Sequence, residues 1–280
     1  HPSVWIGSSA SLGDPDVATP TWPHGSLRQV AITPALANAA VDGMANSCLW
    51  PALHGMARSV QWRDEWWRDY QDHNERFAKA IADVAADGDL VWIHDHQLLL
   101  VAAFLAVERP DLTVGLSIHT PFDANTLAAL PVADALARAL EVPALIGVQT
   151  VGDRAQLARF CRTRRNDTVV SPASIDPASL AALSHERATQ VLVERLRARV
   201  SSRRLIVGVD RIDTTKAIPQ RIEAIDRAFR SGIFHPDEVE IVQIAQPSRT
   251  SLTVSRELRL QIERRAHDVA ANWLRSDGTA

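Results

Sequence analysis

The sequence predicts an α/β protein built on parallel sheets and arranged as two successive units. Three observations carry this reading. Short apolar runs rich in β-branched residues recur along the chain, as LVWIH at 90–94, TVGLSIH at 113–119 and ALIGVQT at 144–150. They are nearly continuous in apolar residues, which is the pattern of strands covered on both faces. Ala/Leu-rich stretches of helical length separate them, and that alternation builds a parallel sheet with crossover helices. The pattern pauses over 176–200, then restarts with RLIVGV at 204–209, a helix from Pro219 and VEIVQIA at 239–245.

Taken in order, the polar, Arg/Glu-rich segment 176–200 reads as a solvent-facing helix leading to a connection near Ser201–Ser202. The expected boundary therefore divides an N-terminal domain, 1–200, from the start of a C-terminal domain, 201–280. The second unit shows two strands, too few for a doubly wound sheet, so either it is incomplete in this chain or the boundary lies elsewhere.

Composition narrows the classes. At 280 residues the chain suits one large or two smaller domains, and 46% hydrophobic with 22% charged residues is ordinary for a globular protein with a full core. A net charge of −3, with no basic stripe interleaved with aromatics, gives no footprint for nucleic acid. The two cysteines, Cys48 and Cys161, have no metal-ligand spacing. No apolar run approaches the ~20 residues of a membrane span, and no signal peptide opens the chain. A cytoplasmic location is the expectation, and a homodimer is left open.

In open parallel sheets ligands gather beyond the carboxyl ends of the strands. That rule singles out His94–Asp95–His96, His119–Thr120, and the stretch from Asp210 to Lys216. If His94 and His96 alternate along one strand they share a face, and with His119 they make a His-x-His metal centre one reading. Its alternative packs one His in the core while Asp95 or the other His faces a cleft.

Lys216 is one of only two lysines in a chain that otherwise uses arginine. With Arg211 and Arg249 it forms a set of cations after successive strands, suited to a diphosphate whose charge grows as it leaves, though composition alone reads equally as a scattered basic surface. Asp213 could instead pair locally with Arg211. Trp62, Trp66 and Trp67 stand at helical spacing, as packing residues do. Trp50, beside Pro51, reads equally as a sugar platform or as an anchor.

Six blocks in order resemble the trehalose-6-phosphate synthase family of retaining glycosyltransferases. They are N-x-x-LWP-x-L-H at 46–54, D-x-x-W-I-H-D at 89–95, H-T-P-F at 119–122, G-x-Q-T at 147–150, D-R-I-D-x-x-K at 210–216 and Q-I-A-x-P-S-R at 243–249. The resemblance implies the GT-B architecture of two Rossmann-like domains. It places the donor-diphosphate clamp on Arg211 and Lys216, the acceptor phosphate on Arg249, and acceptor hydroxyls on Asp95. His119 would sit near the donor ring and reacting oxygen, with Trp50 on the acceptor side. Asp95 and His119 are thus the implied catalytic pair. Neither cofactor nor metal is implied, since the departing phosphate of a front-side reaction takes the acceptor's proton.

Departures from the family pattern sharpen the expectation. Ser8 replaces an aromatic of a W-x-G-W pattern, Val41 replaces an acceptor-pocket Tyr, and Thr214 and Ala217 replace a Tyr and a Gly. This set is more similar to the pseudo-glycosyltransferase branch, the validoxylamine A 7'-phosphate synthases. That branch couples GDP-valienol to validamine 7-phosphate through a C–N bond, so the expected partners are a GDP-linked pseudo-sugar donor and a phosphorylated pseudo-sugar acceptor. Trehalose-6-phosphate synthesis from a nucleotide-glucose and glucose 6-phosphate is the first alternative, and a non-catalytic phosphosugar-binding relative the second. The family's glycine-rich donor loop would precede His1, its later donor block would follow Ala280, and 161–166 is short against the family.

Overall fold

The computed structural model describes residues 3–8, 21–22, 25–161, 167–200, 204–247 and 253–273. The chain divides into two compact units, His1–Ser174 and Ile175–Ala280. The division therefore falls before the polar segment, not after it as expected at 200/201. That segment is also two helices, because Glu186 takes an extended backbone between them.

The first unit opens with β1 (Ser3–Ser8), β2 (Thr21–Trp22) and β3 (Gly25–Val30), with β3 central, parallel to β1 and antiparallel to β2. Helix α1 (Pro34–Ala37) starts where the Thr33 hydroxyl accepts from the Leu36 amide, with Pro34 pre-set for the first turn. It runs into a 12-residue π-helix, Asn38–Leu49, then α2 (Trp50–Leu53). A π-helix of this length is rare. Within it, Gly43 lies directly beneath Trp66, where a Cβ would come within 2.6 Å of the indole.

Helix α3 (Asp64–Ala82) buries Tyr70, His73, Asn74, Phe77, Ala78 and Ile81, a stripe at three- and four-residue spacing that packs on the π-helix. The main sheet follows, with β4 (Leu90–His94), β5 (Thr113–Ser117), β6 (Leu145–Val148) and β7 (Thr168–Val170) parallel and in sequence order. Between them run α4 (Val101–Glu108), α5 (Ala124–Ala128), α6 (Ala133–Leu140) and α7 (Val151–Phe160). Strand β7 is additional to the runs picked out in the sequence.

Coverage of this sheet departs from expectation. Ile93 is buried with the core, but Leu90 and Trp92, on the opposite face of β4, are 82% and 69% exposed. Both faces are apolar in sequence, yet among the described residues only one of them is covered along β4.

The second unit holds α8 (Pro177–His185), α9 (Arg187–Val200), β8 (Arg204–Arg211), α10 (Ile218–Arg230), β9 (Val239–Gln246) and α11 (Thr253–Trp273). Strands β8 and β9 are parallel, from Arg204 opposite Val239 to Arg211 opposite Gln246. Ile212, Ile218 and Ile262 form a small core, joined by Ile222, Ala245 and Leu258. The Trp273 indole donates to Asp226 at 2.8 Å and ties α11 to α10. No helix among the described residues is long and apolar enough to cross a membrane.

Candidate functional site

In the first unit the site residues lie beyond the carboxyl ends of β4 and β5. Strand β4 ends at His94, and Asp95 takes φ 70°, ψ −179°. Only glycine adopts that region readily, at a cost on the order of 1–3 kcal/mol for other residues. Three contacts hold Asp95 there. Its amide donates to the Ser117 carbonyl at 2.7 Å, its Oδ1 accepts from the His119 amide at 3.1 Å, and its Oδ2 lies 3.3 Å from His96 Nδ1. Burial would raise the Asp95 pKa, but His96 and the His119 and His96 amides outweigh it and hold the carboxyl at about 2.

The turn at Asp95 corrects the reading of His94 and His96 as same-face strand residues. The strand has ended before His96, which begins a 3₁₀ turn and is buried, with Gln97 Nε2 3.3 Å from its Nε2. His94 instead meets His119, Nδ1 to Nε2 at 3.0 Å. Its ring also lies against Trp92, centroids 4.6 Å apart, and Trp5 at 6.1 Å. Among the described residues no group of three or more His, Cys, Asp or Glu is placed to hold a metal ion.

Below this turn, Tyr70 is fully buried and its hydroxyl donates to the His96 carbonyl at 2.7 Å while accepting from the Leu99 amide at 3.1 Å. Asn74 completes the support, donating to the Gln97 carbonyl and accepting from the Leu100 amide. Trp50 is 9% exposed, its ring 4.0 Å from that of His54. Trp66 covers Gly43 and is overlain by Arg63 at 4.9 Å, while Trp67 stacks near Tyr70 at 5.9 Å.

In the second unit, β8 delivers Asp210 and Arg211, and the chain turns through a 3₁₀ segment, Thr214–Lys216. Asp213 caps that turn, accepting from the Thr215 amide at 3.0 Å and its hydroxyl at 2.8 Å. Arg211 and Lys216 are exposed. Asp210 binds Arg221 at 2.7 Å and accepts from Gln243 at 3.3 Å, and Arg221, with Gln243 and Lys216 assisting, lowers its pKa. Arg249 lies outside the described residues. Reading the sequence missed Arg221, which follows the D-R-I-D-x-x-K block, and did not place Trp5 and Trp92, both within the quoted patterns, beside His94.

The description of glycosyltransferase family 20 matches residues 5–276. The chain belongs to glycosyltransferase family 20.

Within family 20 it is 31% identical over 293 residues to trehalose-6-phosphate synthase of Mycolicibacterium gilvum, covering 95% of this chain and 58% of that protein. A Burkholderia xenovorans α,α-trehalose-phosphate synthase (UDP-forming), solved in complex with glucose-6-phosphate, aligns with TM-score 0.88 at 24% identity, over 99% of this chain and 66% of that one. An E. coli structure, described as trehalose-6-phosphate bound with UDP-2-fluoro glucose, aligns with TM-score 0.90 at 25% identity, over 99% and 65%. This family 20 chain thus spans less than two thirds of the length of these relatives. The expected fold class, α/β with parallel sheets in the GT-B manner, is the one found.

Proposed function

We propose that this chain carries the acceptor half-site and the diphosphate clamp of a retaining glycosyltransferase that moves a sugar from a nucleoside diphosphate to a sugar phosphate, as in trehalose-6-phosphate synthesis. The observation that carries it is the turn after β8, which presents Arg211 and Lys216 to solvent while Asp210 and Asp213 are already engaged inside the unit. Cations fixed where a leaving phosphate gains charge stabilise the transition state without reorganising. Asp95, ionised down to about pH 2, is a hydrogen-bond acceptor for sugar hydroxyls, not a proton donor. His119, fixed through its backbone by Asp95, stands beside it for the donor ring. Arg249 is assigned the acceptor phosphate.

The pseudo-sugar reading, GDP-valienol with validamine 7-phosphate, rests on Ser8 and Val41 standing where the family carries aromatics. The relatives named above bear on sugars and UDP instead, so trehalose-6-phosphate synthesis is the reading adopted. Calorimetry with UDP and GDP tests the clamp. Saturable binding by the wild type, weakened about tenfold or more in Lys216→Ala, is expected from the loss of a charge-assisted phosphate contact. No binding at millimolar nucleotide would overturn it. Mass spectrometry of products from UDP-glucose with glucose 6-phosphate, run beside GDP-valienol with validamine 7-phosphate, separates the acceptor and donor choices.

A further inference from the structure

We propose that Arg221 is the positioning residue of the diphosphate clamp, setting the Lys216 turn and keeping Lys216 out of an ion pair with Asp210. The inference rests on Arg211 and Lys216 being that clamp.

The geometry is a three-way tie made by one guanidinium from the first turns of α10. Nη1 donates to Asp210 Oδ2 at 2.7 Å and to Gln243 Oε1 at 2.7 Å, while Nη2 donates to the Lys216 carbonyl at 3.2 Å. Gln243 donates in turn to Asp210 Oδ2 at 3.3 Å and to the Ile244 carbonyl at 3.1 Å. Both strands, the helix and the turn are thus joined through a planar fork with fixed donor directions, which lysine lacks.

Gly208 belongs to the same arrangement. A Cβ there would overlap Gln243 Oε1 and lie 2.7 Å from Arg221 Nη1. The absent side chain is the space in which the Arg221–Gln243 pair sits.

Charge gives the tie its purpose. Asp210 directly precedes Arg211 and feels Lys216 electrostatically, so an uncompensated carboxylate here would repel a diphosphate and attract the lysine meant for it. Arg221 neutralises Asp210 from the helix side and holds the Lys216 backbone carbonyl, so the pull of Asp210 on the exposed Lys216 ammonium is offset. A merely structural arginine would stabilise the unit without this dependence on Asp210.

The test compares Arg221→Met, Arg221→Lys, Gly208→Ala and the double variant Arg221→Met with Asp210→Asn, in the full chain. Hydrogen exchange of the 213–217 amides is read without ligand, and UDP affinity by calorimetry. Arg221→Met should speed exchange over 213–217 and weaken UDP about tenfold or more, as loss of a charged hydrogen-bond network does. The double variant should recover only the share of affinity lost to the unbalanced Asp210 charge while exchange stays fast, and Arg221→Lys should fall between. Unchanged exchange and affinity in Arg221→Met would overturn the positioning role. Absence of rescue by Asp210→Asn would overturn the charge-balancing part. If Arg221→Met fails to fold, Gly208→Ala, which forces the Arg221–Gln243 pair apart, reads the same two quantities. A wild type that binds no UDP removes the clamp itself, whereas the exchange data still decide whether Arg221 holds the turn.

Discussion

His94 Nδ1 and His119 Nε2 lie 3.0 Å apart, with their ring planes within 4° of each other. One hydrogen can sit between two facing nitrogens, so the contact couples the tautomer of His119 to that of His94. Burial, then the neighbouring His119, lower the His94 pKa, against Asp95, which raises it. His94 is therefore held in its neutral form at neutral pH, where a fixed tautomer matters most. His94→Phe keeps an aromatic ring against Trp92 and removes the nitrogen. Long-range nitrogen–proton spectra should then show His119 as a mixture of tautomers, and His94→Asn, whose amide reaches the Nδ1 position, should restore a single form. A His119 spectrum indifferent to both changes would refute the coupling.

Much of this site was legible because strand ends are legible. The apolar runs at 90–94, 113–119 and 204–209 became β4, β5 and β8, and the polar residues just beyond them became Asp95, His119 and the Arg211–Lys216 turn. What escaped depends on backbone geometry that residue type does not encode. Nothing in His94–Asp95–His96 announces a left-handed Asp95, and residue type alone is equally compatible with a continued strand that puts both histidines on one face. The π-helix over 38–49 has the composition of an α-helix, and the close approach of Trp66 over Gly43 within it is not encoded in residue type. Arg221 escaped because its role is a hydrogen-bond junction between elements distant in sequence.

His73 predicts an acid sensitivity of the first unit. Its side chain is buried against Phe77, centroids 5.0 Å apart, and burial lowers its pKa to about 4, with Asp72 opposing and Arg76 assisting. The unfolded chain takes up this proton near pH 6.5, well before the folded one does. Stability contributed by neutral His73 is therefore complete above pH 6.5 and lost as pH falls towards 4, in total on the order of 3 kcal/mol. Urea midpoints at pH 7 and 4.5 should differ less in His73→Phe than in the wild type. Equal pH dependence in the two proteins would show that other groups carry it.

Tyr70 predicts a loss that reaches the site from below. Burial raises its phenol pKa, so the hydroxyl stays neutral and serves both His96 O and Leu99 N. Tyr70→Phe leaves a buried carbonyl and a buried amide without this partner, at a cost of about 2–4 kcal/mol. The destabilisation should appear in the urea midpoint, together with faster hydrogen exchange at 96–100. A variant as stable as the wild type would mean that the turn finds other partners.

Ala217 predicts a gain. It sits at φ 51°, ψ 35°, in the left-handed region, between the Thr214–Lys216 turn and α10. The chain must reverse sharply there, because Lys216 ends the turn and Pro219 already lies in the first turn of the helix. For alanine this backbone costs about 1–2 kcal/mol, since the Cβ crowds the following carbonyl. Glycine escapes that crowding but loses more freedom on folding, by roughly 0.5–1 kcal/mol. Ala217→Gly should therefore stabilise the second unit by about 0.5–1 kcal/mol, the left-handed cost less the glycine entropy. The measurement is the urea midpoint of the variant against the wild type, and a lower midpoint would show that the left-handed backbone at Ala217 is not strained in solution.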